Sequence, residues 1–358
     1  MSAMDHQVKL TLASVAREAG VSAPTVSKVI NGRDDVSADT RAKVLTVLAR
    51  TGYKSPLQQR KNLTGRQAVE IVFDSLNSAY AVEVLNGVLE YAAESDIEVL
   101  LNVTGKQGAS TLTAEQRAQR IIDEGRCGMI VVTSAFGAAH LDAFHRRGVP
   151  VVVIDPLNPP PGDVVSVGTT NWAGGKDATS HLLELGHRRI AYIGGPDAAE
   201  CNQARLHGYL AALRAEGVAV EDRYIISGQF RSEHGASGMK ALLKLEERPT
   251  AIFAASDSIA LGVLAEARRQ GVRIPEDMSL VGFDGTYQAE ESVPALTSVT
   301  QPLQEMGRAA LRFILRQMRG EVLDSRRVEL VTRLVVREST APPSAISAAE
   351  RSTNGAVL

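Results

Sequence analysis

Leu12 to Val44 reads LASVAREAGVSAPTVSKVINGRDDVSADTRAKV, and its punctuation decides what stands at this end of the chain. Leu12, Val15, Ala16 and Ala19 recur at helical spacing behind Thr11, whose hydroxyl suits an N-cap. Gly20 stands where a helix ends in a left-handed residue, Val21 anchors the turn, and Ser22 caps a second helix. Pro24 falls in the first turn of that helix, where a missing N–H costs little. Val26, Val29 and Ile30 then face inward, leaving Ala23, Thr25, Ser27 and Lys28 on the outer face. Ser37 caps a third helix whose Val44, Val47 and Leu48 close a small core, and Gly52 ends it. Two short helices about a tight turn, braced by a third, form a module whose second helix fits the major groove of DNA.

Charge separates this end from the rest. Residues 1–66 hold eleven Lys/Arg and five Asp/Glu, a net of +6, whereas the whole chain carries −2 and the remainder therefore −8. One basic end on an acidic body predicts a single nucleic-acid-binding segment. At 358 residues there is room for two or three domains with sizeable cores, and 44% hydrophobic with 22% charged residues fits an ordinary globular protein. The two cysteines, Cys127 and Cys201, show neither zinc spacing nor a disulfide framework, which predicts a reducing cytoplasm. MSAMDHQVK lacks an apolar leader segment and no run is long enough to span a bilayer, so no membrane partner is expected.

After Gly52 the composition becomes polar and basic, from Tyr53 through Gln67. This stretch reads as a linker, either a passive tether or a hinge in which Pro56 opens a short helix and Leu63 is an apolar wedge in the minor groove. From Ala68 onward, apolar strands alternate with amphipathic helices: strand 69–73, helix 81–95, strand 98–102, helix 114–125, strand 128–132, helix 138–147 and strand 151–154. The pattern restarts near Val164–Val167 and continues to a strand at 279–283. Continuous apolar strands between helices indicate parallel sheets covered on both faces, and their number suggests two similar lobes. The expected fold class is thus an all-α headpiece followed by an α/β core of two doubly wound parallel-sheet lobes.

In such sheets ligands bind beyond the carboxyl ends of the strands. The residues standing there are Asp74, Ser75, Ser134, Phe136, Asp155, Arg205, Phe230, Asp257 and Asp284. Catalytic readings find no support. Gly175-Lys176 lacks the earlier Gly and the following Ser/Thr of a phosphate loop, no Gly-x-Ser-x-Gly elbow occurs, and the seven histidines form no metal-ligand cluster. Asp at a strand end often caps the next helix. Several of them facing one cleft with Arg and an aromatic wall suit a polyol, since carboxylates and guanidinium answer vicinal hydroxyls. No cofactor, metal or enzymatic activity is expected.

These residues carry a resemblance. TLASVAREAGVSAPTVSKVINGRDDVSADTRAKV resembles the DNA-binding headpiece of the LacI/GalR family of bacterial repressors. The resemblance continues through TTNWAGGKDATSHLLELGHRRIAYIGGP (169–196), ARLHGYLAAL (204–213), AIFAASDSIALGVLAEARRQGVRIPEDMSLVGFDG (251–285) and PALTSVTQPLQEMG (294–307). It implies a homodimer on a near-palindromic double-stranded operator and a core like periplasmic sugar-binding proteins. It also implies a headpiece over 1–53, a hinge over 54–67 and a core over 68–340. Within that core the N-lobe would comprise about 68–165 plus 300–325, and the C-lobe about 166–295 plus 327–340. Residues 341–358, rich in Ser, Ala and Pro, are expected to be a disordered tail.

By the same resemblance, Ala23, Pro24, Thr25 and Lys28 are the base-reading positions, Thr11, Ser22, Ser27 and Asn31 anchor phosphates, and Leu63 is the hinge wedge. The effector positions are Asp74, Asp155, Arg205, Phe230, Asp257, Asp284 and Gln301. Ser256 stands where the family often has Asn, and the usual Ala-Arg-x-Leu hinge pattern is absent. The function implied is a cytoplasmic repressor of a carbohydrate-utilisation operon whose operator affinity is set by a sugar. Alternative readings are a regulator answering a nucleobase corepressor or a phosphoprotein partner, and a sugar receptor with no regulatory role.

Overall fold

The computed structural model describes residues 12–30, 36–51, 67–103, 113–133, 138–156 and 164–344. The first three helices are α1 (Leu12–Ala19), α2 (Ala23–Ile30) and α3 (Ala38–Thr51). Gly20 takes φ +67° between α1 and α2, and Val21 N–H donates back to Ala16 O at 3.0 Å, closing the helix end. The Ser22 and Ser37 hydroxyls each accept from the backbone N–H three residues on, at 3.3 Å. Such caps contribute about 1 kcal/mol each. Val15, Ala16, Val26, Val29, Val44 and Val47 form a buried core of their own, so this unit folds on a separate set of contacts.

The core begins with β1 (Gln67–Phe73), α4 (Ala79–Glu94), β2 (Ile97–Val103), α5 (Ala114–Asp123), β3 (Arg126–Val132), α6 (Ala138–Arg146), β4 (Val151–Ile154) and β5 (Val165–Thr169). It continues with α7 (Asn171–Glu184), β6 (Ile190–Ile193), α8 (Glu200–Ala215), β7 (Ile225–Ile226), α9 (Ser232–Leu242), β8 (Ala251–Ala254), α10 (Asp257–Arg269) and β9 (Ser279–Asp284). The last elements are α11 (Tyr287–Glu291), β10 (Thr297–Thr300), α12 (Leu303–Met318), β11 (Arg327–Leu330) and β12 (Arg333–Val335). Two six-stranded sheets result, ordered β11-β5-β4-β3-β1-β2 and β12-β10-β9-β8-β6-β7. All pairings are parallel except β10 with β12. Apolar strands such as Val151–Ile154 and Ala251–Ala254 are buried throughout, as strands covered on both faces must be.

The boundary between lobes differs from the one drawn on the sequence. Val165–Thr169 and Arg327–Leu330 both belong to the first sheet, where β5 pairs with β4 on one side and β11 on the other. Thr297–Thr300 belongs to the second. The chain therefore crosses after β5, after β10 and after β11. A parallel strand that completes one sheet and one that opens the next look alike in sequence, so periodicity had no means of separating them. Residues 303–318, placed in the first lobe by resemblance alone, form a helix whose Leu303, Met306, Ala310, Leu311 and Ile314 are buried there. Gly307 lets it approach α4 closely: a Cβ there would lie 2.2 Å from Val84 O.

Ala341, counted in the expected tail, is hydrogen-bonded to the second lobe. Ala341 N–H donates to Ser279 Oγ at 3.0 Å, and its carbonyl lies 2.9 Å from His187 Nε2. Residues 345–358, like most of the linker, lie outside the described residues.

Candidate functional site

In the headpiece, Ser22 just before α2 and Pro24 and Lys28 on it are exposed, and Thr25 and Ser27 are half-buried. Ala23 packs partly against the headpiece core, which reduces its outer surface. The Ser22 and Thr25 hydroxyls lie 2.8 Å apart, and Ser22 Oγ also accepts from Thr25 N–H, so Ser22 has a capping role beside any contact with phosphate. Thr11, Asn31 and Leu63, assigned to the DNA-facing set, lie outside the described residues.

Most of the other candidates stand at or just beyond strand ends, with Arg205 on α8, between the two sheets. A cavity of about 430 Å³ is lined from the first lobe by Asp74, Ser75, Asn77, Tyr80, Thr133 and Asp155. From the second it is lined by Cys201, Arg205, Gln229, Phe230, Ser256 and Asp284, among others. Backbone strain marks these same strand ends. Thr133, Asp155 and Asp284 adopt φ of +42°, +43° and +114°, values that side-chain-bearing residues seldom take. Such conformations cost about 1–3 kcal/mol each and persist where surrounding structure holds them.

Arg205 organises the second-lobe wall. It sits in the second turn of α8, which starts at Glu200, and its side chain is buried. Its Nε donates to Asn171 Oδ1 at 2.7 Å and its Nη1 to Ala255 O at 2.6 Å. The guanidinium carbon lies 3.8 Å from the Phe283 ring centroid and 5.8 Å from that of Phe230. This clamp between aromatic faces, with bonds to fixed acceptors, leaves the group one orientation. Close helix packing supports it: a Cβ on Gly175 of α7 would lie 2.3 Å from Arg205 O.

Asp284 Oδ1 lies 3.6 Å from Arg205 Nη1 and accepts from Gln301 Nε2 at 2.7 Å. Across the cleft, Asp155 Oδ2 accepts from the Tyr80 hydroxyl at 2.7 Å. Burial raises the pKa of both aspartates and the Arg205 charge opposes that rise. Burial acts against the Arg205 cation too, but Cys201, Asp284 and Asp155 hold its pKa above the ordinary value. Burial pushes the Cys201 thiol up to about 12, so it stays neutral at physiological pH. The cavity therefore offers a fixed cation, two acidic acceptors, hydroxyls and amides, with Phe230 as an aromatic wall. That inventory hydrogen-bonds a polyhydroxylated ligand. Among the described residues no group of three or more His, Cys, Asp or Glu is placed to hold a metal ion.

Of the effector candidates, Asp74, Asp155, Arg205, Phe230 and Asp284 line this cavity, whereas Asp257 and Gln301 do not. Asp257 is buried: its Oδ2 accepts from Thr286 N–H and hydroxyl at 2.7 and 2.9 Å, and its Oδ1 from Ser298 Oγ at 2.6 Å. Those bonds tie the β9–α11 turn to β10, with the carboxyl raised to about 6 by burial. Gln301 spans Asp284 and Thr169, whose hydroxyl donates to Gln301 Oε1 at 2.6 Å, so it positions Asp284 and joins two lobe crossings. Ser256 caps α10 through Ile259 N–H and also lines the cavity. Ser134 and Phe136 lie outside the described residues.

Sequence reasoning missed Tyr80, Thr133, Cys201 and Asn171. Cys201 was legible as the residue one helical turn before Arg205. Thr133 and Asn171 carried no pattern that marks them.

Residues 11–55 match the model for bacterial regulatory proteins of the lacI family, and residues 179–340 match a periplasmic binding protein-like domain. The chain is 32% identical over 343 residues to the HTH-type transcriptional repressor CytR of Escherichia coli, covering 95% of this chain and 99% of that protein. It belongs to the LacI family. Another member, the HTH-type transcriptional regulator CelR of Thermobifida fusca, is 34% identical over 343 residues, covering 94% of this chain and all of that one (100%). A solved CelR–cellobiose complex superposes with a TM-score of 0.69 at 33% identity, covering 92% of this chain and 100% of that one. The chain joins a LacI-family headpiece to a two-lobed core, and it is a DNA-binding transcription regulator. No helix among its described residues is long and apolar enough to cross a membrane.

Proposed function

We propose that this LacI-family regulator is a cytoplasmic repressor of a carbohydrate-utilisation operon and binds a near-palindromic operator as a homodimer. A sugar held between the lobes sets its operator affinity. The observation that carries the effector reading is the buried Arg205–Asp284 pair facing Asp155 and Tyr80 across one cavity. Hydrogen-bonding groups come from both lobes, so a ligand that satisfies them all binds the closed arrangement better than an open one. That difference in affinity is what shifts a population. Phe230, Pro196 and Leu261 provide apolar surface, while most of the other lining residues carry hydroxyl, amide or charged groups, which favours a sugar over a nucleobase. The cellobiose bound in the CelR structure supports the same ligand class. The chain acts by binding and not by turnover, in keeping with relatives named as regulators.

Homodimer formation is supported by the first lobe's edge. On β2 and the neighbouring α4, Val82, Leu89, Leu100, Leu101 and Val103 are exposed, and β2 is an edge strand. Exposed apolar residues on an edge strand and its neighbouring helix mark a protein interface, and a second copy offers a self-complementary face.

The test is a thermal-shift screen of mono- and disaccharides on the full-length protein. A sugar present at a hundred times its Kd stabilises the folded state by about 2.7 kcal/mol and raises the melting temperature. If no sugar in the panel moves the transition while the protein still binds DNA, the sugar reading is wrong.

A further inference from the structure

Beside the main cavity lies a second one of about 210 Å³. The two share Asp155 and Cys201 as lining residues, so the compartments are adjacent and separated by a wall one residue thick. The outer walls of the second are Trp172, Glu200, Arg327 and Glu329. Arg327 stands on β11 of the first lobe, and its Nη2 reaches Glu200 of α8 in the second lobe at 2.7 Å and Glu329 at 3.1 Å. This wall therefore alternates carboxylate, guanidinium and carboxylate across the lobe boundary, the pattern that suits successive sugar hydroxyls.

Trp172 is the only tryptophan in the chain and stands in the first turn of α7, yet 48% of it is exposed. A large aromatic left half-exposed inside a polar cleft is an informative departure from burial. Lys176 Nζ lies 5.8 Å from its ring centroid, a cation–π contact that steadies the indole. Its neighbour Asn171 accepts from Arg205 Nε and lines the second compartment, so one residue joins the guanidinium of the first site to the wall of the second.

We propose that the second compartment receives the second residue of a disaccharide-sized effector, with its ring on Trp172 and its hydroxyls on Arg327, Glu200 and Glu329. The first residue sits at Arg205 and Asp284, and the linkage passes between Asp155 and Cys201. This rests on the sugar reading above and narrows it from sugars in general to glycosides of two residues.

Isothermal calorimetry on the full-length protein tests it, with cellobiose, maltose, lactose and sucrose set against glucose, galactose and fructose. The expected result is a disaccharide binding at least about tenfold more tightly than either component, a size set by one aromatic stacking contact. In Trp172→Ala, and separately in Arg327→Ala, that ratio collapses toward unity. In the wild type the single tryptophan reports occupancy directly: its emission changes with the disaccharide and stays still with the monosaccharide. A ratio near unity in the wild type, a ratio that survives both substitutions, or a bound disaccharide that leaves Trp172 emission unmoved overturns the inference and leaves the sugar reading standing. Absence of binding by every sugar in the panel overturns the sugar reading itself and this inference with it.

Discussion

Arg205→Ala is the perturbation that most directly probes how the cleft is built. The guanidinium makes two hydrogen bonds to fixed acceptors, covers the Phe283 ring at 3.8 Å and is the cation beside Asp284. Its removal leaves two buried carboxyl groups, Asp155 and Asp284, without the charge that opposes their desolvation. Breaking a buried pair in this way costs about 3–5 kcal/mol, a large share of a typical domain's stability of about 5–15 kcal/mol. The sign with pH follows from the direction of the shifts. Both aspartate pKa values are already raised in the fold, and loss of Arg205 raises them further. A carboxyl with a raised folded pKa contributes stability below its unfolded pKa and loses it as pH rises through the folded one. The deficit of Arg205→Ala should therefore be largest near neutral pH and shrink as the buffer is made acidic. Urea unfolding followed by Trp172 emission reads this in the second lobe. Adding Asp284→Asn to Arg205→Ala should recover part of the loss. An unchanged unfolding midpoint, or a deficit that grows on acidification, would refute the reasoning.

Other outcomes follow from the same geometry. Gly208→Ala places a Cβ 2.2 Å from Trp172 O and 2.6 Å from Lys176 N, forcing α7 and α8 apart, and should destabilise the core by about 1–3 kcal/mol in the same urea titration. Sugar affinity measured by calorimetry should fall as pH is lowered, because Asp155 and Asp284 protonate above the usual carboxylate range and then lose acceptor capacity; a flat profile would remove them from the ligand contacts. Lys28→Ala, at an exposed position on α2, should weaken specific operator binding more than non-specific binding in fluorescence anisotropy. Equal losses on both, with a salt slope reduced by about 0.9, would make Lys28 a phosphate contact instead.

Much of this architecture was legible because short-range physics wrote it. Gly20, Ser22 and Ser37 punctuate the headpiece helices by backbone and capping requirements that no distant residue alters. The buried strands announced parallel sheets, and the rule that ligands meet strand carboxyl ends brought Asp74, Asp155 and Asp284 to one cavity. The rest depends on pairing over long separations. Nothing local distinguishes β5 as the partner of β11, which lies some 160 residues away in the chain. Asp257 looked like Asp284 by position, yet three donors from Thr286 and Ser298 occupy it, and only the fold brings those together. Trp172 likewise reads as an ordinary helix residue until β11 brings Arg327 to the same cavity.

The central claim is that cleft and headpiece are coupled, and operator affinity with and without effector tests it. Fluorescence anisotropy of a labelled duplex from the chain's own upstream region gives that affinity, first alone and then with the stabilising sugar at saturation. A coupling of about 1–3 kcal/mol predicts that the operator Kd changes by roughly 5-fold or more. An operator Kd that stays the same at saturating sugar would contradict the account, however tightly that sugar binds.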